Sequence, residues 1–199
     1  MSFIQILLIA LAYLSGVVPY GYLITRKSTG LNILEEGSGN IGSTNVGRVA
    51  GRKVALKIQL LDMLKGLFPV AIVSIINKSE TSVFPDYFIY LVAFSTTIGH
   101  NFSVFLRFRG GKGVNTTLGA SVMLAPIEVF CAIGIYFLVK KNFKYTSSGS
   151  IALALTLPAT GLSLSEKKWL LIYLLFCCVM IIARHTSNIK RLFSSTEIL

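Results

Sequence analysis

The chain has 199 residues, is 53% hydrophobic, and carries 19 Lys and Arg against 8 Asp and Glu, a net charge of +11. A mean hydropathy of +0.71 excludes an ordinary soluble domain, because apolar runs of ~20 residues are what cross a hydrocarbon core ~30 Å thick. Strict apolar–polar alternation is absent, so a β-barrel is excluded and a polytopic all-α membrane protein remains.

The apolar runs predict seven spans, at 3–25, 54–77, 87–106, 114–125, 127–139, 149–163 and 169–184. The first lacks a basic start and a small-residue cleavage site, so it reads as a span and not a signal peptide. After it comes Gly37-Ser38-Gly39-Asn40-Ile41-Gly42-Ser43-Thr44-Asn45, followed by Arg48. Glycines let backbone N–H groups turn onto an anion without a Cβ in the way, and Ser38, Asn40, Thr44, Asn45 and Arg48 add side-chain donors. The bland alternative is a flexible loop. Within the second span, Asp62 and Lys65 stand at i and i+3. At such depth each ionised group costs ~2.5–3.5 kcal/mol, which favours a structural pair turned to the bundle interior over a proton pathway.

Near the end of the third span, His100 is a candidate general base or phosphate ligand, or else a polar group satisfied by a neighbouring helix. Arg109-Gly110-Gly111-Lys112-Gly113-Val114-Asn115-Thr116-Thr117 then leads directly into the next apolar run. A helix start offers free N–H groups and the positive end of a dipole, so Gly113, Val114, Asn115 and Thr116 can cradle an anion beside the Lys112 charge. The Walker A spacing is missing, which excludes that kind of ATPase. The bland reading of the segment is a basic anchor for the preceding span.

The runs at 114–125 and 127–139 are short for spans and break near Pro126. Short helices are tolerated beside a protein-lined cavity. Glu128 is expected near the outer surface and solvated, and Ser147, Ser148 and Ser150 are expected to cap the sixth span. Cys131, Cys177 and Cys178 lie in apolar runs without metal or disulfide spacing and read as small hydrophobes. Beyond the last span, Arg184, Asn188 and Arg191 share a face if the helix continues, with His185 turned partly aside.

Charge fixes the expected orientation. With seven spans, 14 of the 19 Lys and Arg fall in loops on one side, whereas six spans would dilute the bias. The positive-inside rule then puts the N-terminus outside and the C-terminus in the cytoplasm. A single helical domain over 1–199 is expected, with cytoplasmic loops 26–53, 107–117, 140–150 and 184–199. Both glycine-rich loops meet one membrane face, which points to phosphate chemistry on lipid precursors and away from nucleic acid. A transporter for a phosphorylated metabolite and a lipid-sensing membrane subunit are the competing classes.

The ordered blocks resemble the bacterial glycerol-3-phosphate acyltransferases that use acyl phosphate as donor. The blocks are Gly37-Ser38-Gly39-Asn40 with Thr44-Asn45 and Arg48, then Leu61-Asp62-x-x-Lys65-Gly66. Gly99-His100, Phe105, Phe108 and Gly110-Gly111-Lys112-Gly113-Val114 with Thr116 follow. The last are Arg184-His185-x-x-Asn188-Ile189-x-Arg191-Leu192 and Glu197. Ser43 and Asn115 stand where the family more often has alanine, and Ser195 where glycine is usual.

The resemblance implies acyl transfer from acyl phosphate to the 1-hydroxyl of glycerol 3-phosphate at the cytoplasmic face of a bacterial inner membrane. No metal or other cofactor, acyl-CoA or acyl carrier protein is expected. The protein is expected to be a monomer in membrane lipid with no nucleic-acid partner. Ser38, Asn40, Arg48, His100 and Lys112 become the catalytic candidates. The substrate-binding candidates are Gly39, Thr44, Asn45, Gly110, Gly111, Gly113, Val114, Thr116, Ser150, His185, Asn188 and Arg191. The hydroxyl proton is expected to go to the substrate's own phosphate, because the sequence shows no histidine with an obvious carboxylate beside it.

Overall fold

The structure is a computed structural model that describes residues 1–78 and 84–197. The last two positions of the expected 184–199 loop therefore lie outside the described residues. Every regular element among the described residues is helical, and the chain divides into two compact units, 1–120 and 121–199.

The first unit opens with α1 (Phe3–Val17), started by a capping box in which Ser2 and Gln5 exchange side-chain-to-backbone hydrogen bonds. Pro19 breaks the helix, and α2 (Tyr20–Thr29) follows. Two carbonyls at this break are reached from a distance: Ser103 Oγ donates to Val17 O at 2.7 Å, and Lys65 Nζ donates at 2.9 Å to Val18 O, which also accepts from Tyr20 N–H at 3.1 Å. Such repair is what lets a proline break persist at membrane depth.

After the first glycine-rich loop come α3 (Ser43–Ala50) and the long α4 (Arg52–Asn77), separated only by Gly51. The unit is completed by α5 (Phe88–Asn101), a 3-10 turn (Val104–Leu106) and α6 (Val114–Ser121). An apolar cluster of Ala12, Val73, Phe88 and Val92 joins α1, α4 and α5. The α4 and α6 backbones touch directly. A Cβ on Gly66 would lie 2.2 Å from Thr116 O, and one on Gly119 1.9 Å from Met63 O. This is the small-residue packing that lets helices approach in lipid.

The second unit holds α7 (Pro126–Phe143), α8 (Thr146–Leu164), α9 (Lys168–Arg184) and α10 (Thr186–Phe193). Its interior is pinned by a 3.0 Å hydrogen bond between the buried Ser121 and Tyr173 hydroxyls. In both units many large apolar side chains, among them Leu60, Phe68, Ile72, Phe130 and Phe137, stay exposed on helix faces, as lipid contact requires.

Among the described residues, four segments are long and apolar enough to cross a membrane: Phe3–Thr29, Arg52–Asn77, Phe88–Leu106 and Thr146–Leu164. They coincide with the first, second, third and sixth expected spans. A fifth is reached if α9 and α10, bent by 58°, count as one. The expected span 114–125 contains the eight-residue α6, ~12 Å long at 1.5 Å per residue, shorter than a lone helix needs to cross a flat bilayer. It packs on α4, with Thr116, Thr117 and Ala120 fully buried.

Two further expectations are corrected. Glu128 is not solvated; it is 5% exposed in the first turn of α7, where the helix dipole favours a carboxylate. No serine side chain caps α8: Tyr145 is the N-cap residue, and Ser150 Oγ donates back to Thr146 O at 3.0 Å.

Candidate active site

The first glycine-rich loop is not floppy. Ile33 and Ile41 flank it and are buried against Val46, Ile58 and Leu106. Its turns are built around one side chain: Asn45 Oδ1 accepts from Ser38 N–H at 2.9 Å, while its amide donates to Glu36 O (2.9 Å) and Asn40 O (3.0 Å). Both amide hydrogens of this buried Asn45 are thus engaged inside the loop, and its role here is to fold the loop. Asn40 Oδ1 accepts from Gly42 N–H at 2.8 Å, which turns the chain into α3. No side chain caps that helix, so the loop ends on a start whose N–H groups at Ser43, Thr44 and Asn45 suit an anion. Sequence reading recognised only the second loop as feeding a helix start. Thr44 and Arg48 are exposed beside this one.

The second loop lies on the last turn of α5. Gly111 N–H donates to His100 O at 3.0 Å, and Gly110 sits so close that a Cβ would be 2.0 Å from the same oxygen. Gly113 has φ +82° and faces the Asn101 amide. A side chain there would meet both strain and a clash. Lys112 is half-buried between them, and Thr117 N–H closes the first turn of α6 on Gly113 O at 2.8 Å. Thr116 is fully buried, and as the third residue of α6 its backbone N–H has no partner within that helix.

The two loops are brought together. Leu106, just before the second, belongs to the apolar cluster beneath the first, and Asn115 Nδ2 donates to Ser43 Oγ at 3.2 Å. Two helix starts, α3 and α6, therefore stand side by side, with Ser38, Asn40, Arg48 and Lys112 on the loops that lead into them.

Behind them lies a buried polar chain. Asp62 Oδ1 is 2.9 Å from Lys65 Nζ and 3.7 Å from His100 Nδ1, with side chains 2–5% exposed. The Lys65 ammonium also caps Val18 O and lies 5.6 Å from the centre of the Tyr20 ring. The pair expected from the sequence is present, turned into the protein interior. The expectation that no histidine has a carboxylate beside it is overturned, because α4 brings Asp62 to His100 across α5. The 3.7 Å separation is an electrostatic contact, longer than a hydrogen bond. His100 lies under the loop, its Nε2 2.1 Å from where a Cβ on Gly111 would be.

In the second unit the last helix does not run straight on. It turns at His185, so Arg184 ends α9 while Asn188 and Arg191 belong to α10. His185 is buried with Nδ1 2.7 Å from Ile181 O; a carbonyl only accepts, so Nδ1 carries the proton. Asn188 Nδ2 and Ser147 Oγ (2.9 Å) donate to Glu197 Oε1, and Arg191 Nε donates to Oε2 at 2.8 Å. Burial pushes the Glu197 carboxyl up, but these hydrogen bonds and the Arg191 charge outweigh it and hold it below the usual carboxylate range. Asn188 and Arg191 thus hold the chain end. Sequence reading placed Ser147 at a helix cap and missed this role.

Paired anion-ready helix starts on an apolar helical scaffold define a membrane enzyme that handles phosphorylated substrates. The profile of the glycerol-3-phosphate acyltransferases matches residues 6–195, and the chain belongs to that family. It is 37% identical over 195 residues to the glycerol-3-phosphate acyltransferase of Clostridium acetobutylicum, covering 98% of both chains. With the Trichlorobacter lovleyi enzyme it shares 41% over 189 residues, covering 95% and 94%. Among solved structures it resembles PlsY, an integral membrane glycerol 3-phosphate acyltransferase. The glycerol 3-phosphate form gives a TM-score of 0.89 at 28% identity and the lysophosphatidic acid form 0.87 at 27%, each covering 98% of this chain and 94% of the other.

Proposed function

We propose that this acyltransferase moves a fatty acyl group from acyl phosphate to the 1-hydroxyl of glycerol 3-phosphate. The hydroxyl oxygen attacks the acyl carbonyl carbon and the carbon–oxygen bond to phosphate breaks. The hydroxyl proton passes to a phosphate oxygen, giving lysophosphatidate and inorganic phosphate. The observation that carries this reading is the side-by-side placement of the α3 and α6 starts, because both substrates bring a phosphate to the same reaction. PlsY, the structural relative, has a glycerol 3-phosphate form and a lysophosphatidic acid form, and these two molecules differ by one acyl group.

Arg48 and Lys112 supply charge to the two phosphates, and Ser38, Asn40 and Thr44 supply neutral donors. Gly110, Gly113, Val114 and Thr116 contribute backbone N–H groups, Gly39 and Gly111 shape the loops through N–H bonds to Glu36 O and His100 O, and Asn45 holds the first loop in shape. In the second unit, His185, Asn188, Arg191 and Ser150 are the remaining substrate-binding residues of this reading. Acyl phosphate already carries a good leaving group, so catalysis rests on positioning and on stabilising developing negative charge. His100, buried beneath Gly111 and beside Asp62, supports the loop, and the substrate phosphate takes the proton. The protein works as a monomer in the bacterial inner membrane, with the chain crossing or entering the bilayer at seven segments and the loops facing the cytoplasm.

The test gives purified protein palmitoyl phosphate and glycerol 3-phosphate without added metal, and follows phosphate release and lysophosphatidate. Wild type should form both, while Lys112→Ala should lose at least ~100-fold in turnover, the scale of a missing charge-stabilising donor. No product from folded wild type rejects the reaction, and near-normal turnover in Lys112→Ala removes the second loop from the site. His100→Gln should keep turnover within about tenfold if the substrate phosphate is the base, since a positioned general base contributes ~100-fold or more.

A further inference from the structure

Consider how the two helix starts are mounted. Both α3 and α6 are carried by α4. The first is tethered through the single residue Gly51, and the second is seated by the backbone contacts at Gly66 and Gly119. Their bases are therefore fixed to one beam. The beam seats both helices within their first turn, at Val46 and Thr116, and leaves the span between the two starts to a direct contact. Ser43 is the first residue of α3 and Asn115 the second of α6, so the 3.2 Å bond between them closes the open side of the frame at the tips. The bond uses the Ser43 oxygen as acceptor, and the hydroxyl proton remains available to donate.

We propose that the Ser43–Asn115 hydrogen bond is a strut that sets the spacing of the two anion-binding helix starts, making both residues positioning residues for the acyl transfer. The inference rests on the reaction proposed above. A strut has a signature distinct from a phosphate ligand. Without it each loop still binds its own phosphate, but the hydroxyl and the acyl carbon are no longer held at attack distance. The loss then falls on kcat and spares binding, because small misplacements of reacting groups cost rate steeply.

The experiment compares full-length wild type, Ser43→Ala, Asn115→Ala, the double variant and Ser43→Thr in detergent. It measures kcat, KM for each substrate, the Kd of glycerol 3-phosphate alone, and melting temperature as the check on folding. Each single alanine variant should lower kcat about tenfold while the Kd stays within about twofold of wild type. The double variant should lose no more than the worse single one, as members of one interacting pair do. Ser43→Thr, which keeps the hydroxyl, should retain kcat.

The strut is overturned if glycerol 3-phosphate binding weakens as much as kcat falls, since the residues would then be direct ligands. It is also overturned if the losses multiply in the double variant, or if kcat does not change. Should either single variant fail to fold, the double variant and Ser43→Thr decide the question through kcat against Kd. Failure of the underlying reading is separate: it shows as wild type that binds glycerol 3-phosphate but forms no lysophosphatidate.

Discussion

Ser195 holds φ at +57°, a left-handed conformation that costs a residue with a Cβ on the order of 1 kcal/mol. Two residues later, Glu197 collects donors from Ser147, Asn188 and Arg191. The strained turn is what brings the carboxylate back to them. Ser195→Gly should therefore raise the thermal midpoint, by about 1 kcal/mol of stability, without altering these contacts. An unchanged or lower midpoint would show that the turn is not strained. The Glu197 carboxyl is held below its usual range, so the stability it contributes is complete above the unfolded value of ~4.3 and is lost as pH falls through the lowered folded one. Hydrogen exchange of the α10 amides should thus accelerate on acidification in wild type and show no such step in Glu197→Gln. Sequence reading, which drew Glu197 from resemblance alone, gives no chemistry for it, because its partners come from two helices. Ser43 and Asn115 are likewise legible only as two separate departures from alanine; that they are the two ends of one hydrogen bond needs three dimensions.

The α4–α6 pair shows what hydropathy reads well and what it does not. Counting apolar residues locates α4 correctly but runs 114–125 past the end of its helix at Ser121, because the count does not distinguish lipid from protein as the apolar partner. Here the partner is protein: Leu118 is nearly buried and Thr116, Thr117 and Ala120 are fully so. The break near Pro126 was visible, since Pro126 begins α7. The helix had already ended at Ser121, through turn bonds from Leu124 and Ala125 N–H to Ser121 O. Backbone contact at Gly66 leaves no room for a methyl group. Gly66→Ala should cost about 1–3 kcal/mol by overpacking and lower turnover in step, since α6 carries the second loop. Thermal melting beside turnover measures both; a wild-type midpoint would mean the helices can part without penalty.

At the scale of the whole molecule, the segments long and apolar enough to span among the described residues, both glycine-rich loops and their meeting were either visible in the sequence or one step from it. The orientation is the large-scale expectation still open to direct measurement. With the N-terminus outside and the positive loops inside, a cysteine placed at Lys190 in a background lacking Cys131, Cys177 and Cys178 should react with an impermeant thiol reagent only from the cytoplasmic side. Labelling from the outside would invert the protein and move the proposed site to the wrong face.

The proline break at Val18 and Pro19 also constrains the order in which the protein comes into being. Ser103, the donor to Val17 O at this break, and Lys65, the second donor to Val18 O beside Tyr20 N–H, are synthesised long after the break has left the ribosome. Until Ser103 arrives, Val17 O lacks that donor, and hydrocarbon penalises an unsatisfied polar group by several kcal/mol. The nascent amino-terminal segment must therefore wait at the insertion machinery or in the interfacial layer, and settles only when α4 and the chain beyond α5 reach it. Crosslinking of stalled chains can time this: those ending before Lys65 should remain next to the translocon, and those extending well past Ser103 should have left it. Early release of the short chains would show that the break finds other partners in the meantime.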